Sequence, residues 1–180
     1  MQEQQSSNPE TENTLSTQEI KEQELLKQLR YYFGMASRAY QYWKEGWCLL
    51  EENKEINLPT FQAYRWAWKA IEAKYLKNPY EQLSHIQQVL PELTKLTRNY
   101  PQSIEILFIR TAIISNLPSL FNMQIEASRD TRRLIATLEN HWNTLDPHLK
   151  EAIVRFLDIS IYIEMADKKK IQAWLAHGSS

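Results

Sequence analysis

The sequence predicts an all-α fold: six to seven helices, set as antiparallel helical hairpins in a solenoid-like array or a compact bundle. Three observations carry this. Apolar residues recur at spacings of three and four along nearly the whole chain. Proline and Asn, Asp or Ser cap signals interrupt that rhythm at short intervals. Only three glycines stand in 180 residues, too few for a fold rich in strands and turns.

Taken in order, residues 1–15 are polar and acidic with almost nothing to bury, and read as a disordered tail. Residues 16–177 read as a single helical domain and 178–180 as a flexible end. Ser16 with Glu19 makes a capping box that starts the first helix. Ile20, Leu26, Leu29, Phe33, Ala36, Tyr40, Trp43, Trp47 and Leu50 then form one stripe. This is one long amphipathic helix, or two halves bent at Gly34 or Gly46.

Pro59 opens a helix to about Leu76, with Phe61, Tyr64, Trp68, Ile71 and Tyr75 on one stripe and Ala63, Ala67 and Ala70 on another. Asn78-Pro79 caps and opens a third, which Pro91 is expected to kink or break near Leu90. The centre of the chain is Asn99–Phe121. Pro101 suits a first helical position, Ile104 to Ile114 are apolar on every side of a helix, and Pro118 marks the stop. β-branched isoleucines also suit a strand, but they do not alternate and their flanks read helical.

Leu120, Phe121, Met123 and Ile125 form an apolar connector expected to pack on the core surface. A helix over about Ala127–Trp142 follows. Asp146-Pro147 caps the next, with Leu149, Ile153, Phe156, Leu157, Ile159, Ile161 and Ile163 inside it. Asp167 caps a short last helix.

Several kinds of chemistry lack their residues. His85, His141, His148 and His177 form no helix-face pair, so no metal site is predicted. There is no Gly-rich phosphate loop and no Gly-x-Ser-x-Gly elbow. The chain is therefore read as a non-enzyme without a cofactor. One cysteine, Cys48, precludes an internal disulfide, and its apolar surroundings predict a small buried hydrophobe.

A net charge of −1, with residues 1–19 at −4 and the remainder at +3, gives no global field toward nucleic acid. The basic groups Arg129/Arg132/Arg133 and Lys168–Lys170 read as solvated surface. No stretch is long and apolar enough to span a membrane. The location is cytoplasmic if the chain is native at Met1, and exported if a signal peptide was removed.

Glu105 and Arg110 are the only charges inside the apolar helix. Five residues apart, they do not face each other, and each needs a partner from another helix. Both are read as structural charges, with a small-molecule enzyme or carrier using them as the alternative. Six Trp and nine Tyr are a surplus concentrated in the first two helices. A core built from large side chains explains some of them. The rest suggest a partner groove beside the Tyr64–Tyr75 face, with Tyr64, Trp68, Tyr75, Trp43 and Trp47 as candidate contacts.

The run Leu93–Pro101 followed by Ile104-Glu105-Ile106 resembles the junction between tetratricopeptide repeats. Ala73-Lys74-Tyr75, Asn78-Pro79, Ile104-Glu105-Ile106 with Phe108 and Arg110, and Asn116-Leu117-Pro118 together resemble a family of short, uncharacterised bacterial helical proteins of tetratricopeptide-like fold. The resemblance covers about Tyr64 to Phe121. It departs at Pro91, and at Phe121, which Asn122 rather than a glycine follows. It implies a fold and a scaffold or binding role toward an unnamed peptide or protein. A homo-oligomer built through the first long helix is the alternative.

Overall fold

The computed structural model describes residues 16–177, so the acidic tail at 1–15 and the end at 178–180 lie outside the described residues. Among the described residues there are eight α-helices and no strand: α1 Thr17–Ala36, α2 Tyr40–Glu52, α3 Pro59–Glu72, α4 Pro79–Asn99, α5 Ile104–Ser115, α6 Gln124–His141, α7 Pro147–Ile159 and α8 Met165–His177. Single 3-10 turns extend α3, precede α6 and extend α6.

Successive helices pack as hairpins, α1 with α2, α3 with α4 and α5 with α6. The odd-numbered helices also touch one another: α1 meets α3, α3 meets α5, α5 meets α7, and α7 returns to α1. These four form a closed inner ring. Residues Ile104 to Ile114 of α5 are all buried, which explains why α5 has no polar face. α8 joins through α7, with Ile171 buried and Trp174 against Trp142 at 5.3 Å.

Several expected boundaries move. The long first helix is two helices, broken at 37–39 and not at either glycine. A helix ends with carbonyls that need donors, and here distant side chains supply them. Tyr75 Oη donates to Ala36 O at 2.5 Å, and Lys74 Nζ donates to Ser37 O. Pro101 does not open α5; Ser103 caps that helix, its hydroxyl accepting from Ile106 N at 3.3 Å. Pro101 lies instead in the preceding turn.

Pro91 neither ends nor splits α4. Its ring is on the exposed face, while Val89 and Leu93 on either side are buried in the core and hold the helix in place. α7 stops at Ile159, so Ile161 and Ile163 fall outside it and Ile161 is 84% exposed. Asp167 sits within the first turn of α8 and not at its cap. Leu120 and Ile125 are exposed, leaving Phe121 and Met123 as the half-buried part of the connector.

Candidate functional site

One buried polar node joins all four helices of the inner ring. Glu105 on α5 accepts from Arg30 of α1 through both carboxylate oxygens, Nε to Oε1 at 2.8 Å and Nη2 to Oε2 at 2.9 Å. Tyr64 of α3 donates its hydroxyl to Glu105 Oε1 at 2.7 Å. The remaining arm of Arg30, Nη1, reaches Asp146 Oδ1 at 2.8 Å. Asp146 is the cap of α7 and also accepts from His148 N and Leu149 N, at 2.9 and 3.0 Å.

A carboxylate this buried is tolerable only when paired and hydrogen-bonded. Burial alone would lower the Arg30 pKa, but the hydrogen bond and charge of Glu105 outweigh it and hold the guanidinium above its usual range. Burial first, and then the Glu105 carboxylate, push the Tyr64 hydroxyl well above the usual tyrosine range.

Arg110 is paired separately, with Asp130 of α6. Asp130 Oδ2 meets it as an ion pair rather than as a well-formed hydrogen bond, and Arg110 Nε also donates to Thr94 Oγ1 at 3.3 Å. Burial, and next the charge of Arg129, keep the Arg110 pKa below its usual range. The two charges of the central helix thus have different partners on different helices.

Beside the polar node, α1, α5 and α7 enclose a cleft of about 660 Å³. Phe33, Phe108 and Phe156 form its aromatic floor, with Phe108 5.8 Å from each of the other two rings. Gly34 and Ala112 contribute small walls, and a Cβ added at Gly34 would meet no atom within 4 Å. Lys27, Arg38, Arg155 and Glu151 line it with Tyr31 and Ile159, which are 51% and 70% exposed. Arg30 also lines it, so the polar node and the cleft share a side chain. The volume falls within the range of ligand sites, as does the combination of apolar floor and few polar groups.

The aromatic candidates occupy a different place. Tyr64 and Trp68 are fully buried, which removes them from the set of direct partner contacts. Trp68 exchanges hydrogen bonds with Trp43: Trp43 Nε1 donates to Trp68 O at 3.0 Å and Trp68 Nε1 to Trp43 O at 2.9 Å. Trp43 is buried in turn, stacked between Tyr40 at 5.3 Å and Trp47 at 6.0 Å. Trp47 and Tyr75 are half-buried, and Tyr75 packs edge-on to Tyr40. This face is a filled aromatic stack that seals α2 to α3, not a groove. Cys48 is exposed, against the expectation of burial.

Sequence reasoning missed Phe33, Gly34, Arg38, Ala112, Arg155 and Phe156 as a group. Gly34 and Ala112 carried the one available signal: small residues on two helices leave space where larger ones would fill it.

Among the described residues no cluster of three or more His, Cys, Asp or Glu could hold a metal ion, and no helix is long and apolar enough to cross a membrane. Comparison with protein-family models, with curated proteins and with solved structures finds no significant match.

Proposed function

We propose that this chain is a non-enzymatic helical binding module that receives an apolar segment of a peptide or protein partner in the α1/α5/α7 cleft. The cleft with its aromatic floor carries the proposal. Ile159 of the lining is 70% exposed, so the apolar surface of the cleft reaches its rim. The tetratricopeptide-like reading agrees with it. Such arrays offer extended concave surfaces to their partners, and consecutive contacts of α1 with α3, α3 with α5 and α5 with α7 are compatible with that reading. Glu105 and Arg110 are held in structural pairs, which gives an enzyme using them little support.

The test places a photo-crosslinking phenylalanine at Tyr31, an exposed residue of the cleft, and at Tyr80, which is 83% exposed on α4 and outside it. The expected result is a discrete crosslinked partner from position 31, absent from position 80 and lost when Gly34→Trp fills the cleft. Identical products from both positions, or no effect of Gly34→Trp in a variant with an unchanged melting curve, would refute the proposal.

A further inference from the structure

We infer that the segment received by the cleft is acidic as well as apolar, and that the charges at the mouth select it. This rests on the binding reading above and adds the chemistry of the partner. Four cationic residues line the cleft, and they are not equivalent. Arg30 is spoken for by Glu105 and Asp146. Lys27, Arg38 and Arg155 are exposed, and among the described residues Glu151 is the only carboxylate in the lining, so the described mouth has an excess of two positive charges in a chain of net charge −1. Arg155 shares its charge with Glu151 at 2.5 Å, and Lys27 lies 3.8 Å from Glu24.

Arg38 differs from both. It stands in the turn between α1 and α2, exposed, and its guanidinium has no ion-pair or hydrogen-bond partner among the described residues. An arginine fork is suited to a carboxylate taken in two-pronged fashion. A cationic rim around an apolar floor attracts acidic partners, speeds their encounter and disfavours basic ones. The chain's own residues 1–15 are acidic, but Met1 and Leu15 are their only large apolar side chains, which leaves the aromatic floor unmatched.

The experiment pans a random 16-residue peptide library on the full chain, with counter-selection on Gly34→Trp to discard peptides that bind elsewhere. Binding of the recovered peptides is then measured by fluorescence anisotropy against the full chain, Arg38→Glu and Arg155→Gln, at low and high salt. Recovered peptides are expected to pair apolar anchors with a net negative charge. Arg38→Glu should weaken them about tenfold, and added salt should weaken them further. The melting curve of Arg38→Glu should match that of the unaltered chain, because the exposed Arg38 guanidinium holds no hydrogen bond or ion pair among the described residues.

Cleft-dependent peptides that are neutral or basic, or that bind Arg38→Glu and Arg155→Gln as well as the original, would overturn this inference while leaving the binding reading intact. Recovery of no cleft-dependent peptide would overturn both. Self-association abolished by Gly34→Trp would assign the cleft to a second copy, and selected peptides matching residues 1–15 would assign it to the chain's own tail. Either result also overturns the inference.

Discussion

Two glycines lie inside helices of this chain, and alanine in their place should have opposite effects. Gly46 of α2 is buried against Trp68. A Cβ built on it would lie 2.7 Å from Trp68 Cε2, and closer still to Cζ2. Trp68 has little freedom to yield, being fully buried and held by the reciprocal bonds with Trp43. Alanine would gain about 1 kcal/mol of helix propensity. Overpacking of a tight core costs about 1–3 kcal/mol. Displacing the indole also breaks the buried hydrogen bond from Trp68 Nε1 to Trp43 O, at about 1 kcal/mol. The net expectation for Gly46→Ala is a loss of about 1–3 kcal/mol, seen as a Tm lowered by about 2–12 °C for a chain of this size.

Gly34→Ala meets open space and keeps only the propensity gain, so it should stabilise by about 0.5–1 kcal/mol. Urea titration of both variants, with the slope checked for constancy, measures the difference. A Gly46→Ala variant as stable as Gly34→Ala would refute the packing of α2 on α3 described above.

Three further outcomes follow from the buried charges and from α4. Tyr64→Phe removes a hydroxyl bond to a buried carboxylate and should cost about 1.5–3 kcal/mol at pH 7. Because the folded-state pKa of Tyr64 is raised, its contribution is complete below the unfolded tyrosine value of about 10 and is lost as pH climbs past it. Urea titrations from pH 7 to 11 should therefore show the gap between Tyr64→Phe and the unaltered chain narrowing above pH 10, and a widening gap would contradict this. Asp130→Ala strands the buried Arg110 and should cost about 3–5 kcal/mol, most of it recovered when Arg110→Met is added. Equal losses in the single and double variants, by thermal melting, would count against the pair. Pro91→Ala restores a backbone donor on the exposed face of α4 and should raise stability by about 1–3 kcal/mol, which a lowered Tm would disprove.

The helical class and most starts were legible because they depend on local chemistry. The Ser16 capping box, Pro59, Asn78-Pro79 and Asp146-Pro147 each act within four residues, and each stands at the start of a helix in the structure. The boundary between α1 and α2 was not legible, since Tyr75 and Lys74 stabilise it from nearly forty residues away. Glu105 could be seen to need a partner, but nothing in the sequence points to Arg30, 75 residues earlier. The aromatic surplus was misplaced for a related reason. Periodicity shows which residues share a face, whereas the reciprocal bonding of Trp43 and Trp68 depends on how two helices meet. A cleft is harder still to read, because its lining is assembled from three separate helices and depends on how closely they pack.

The polar node explains why a cleft persists within an otherwise packed ring. An all-apolar junction of α1, α3, α5 and α7 would be free to collapse until its voids closed. Arg30 opposes this because its guanidinium needs both the Glu105 fork and Asp146, and a planar group with five donors satisfies them in only a narrow range of positions. Asp146 is at the same time fixed by its capping of α7. The distance between α1 and the start of α7 is therefore set by hydrogen bonds rather than by side-chain volume. Along α1 from this tie, Gly34 and the opposing Ala112 leave the separation unfilled. The buried charges and the small residues thus act together: the first hold the walls apart, and the second keep the space between them open.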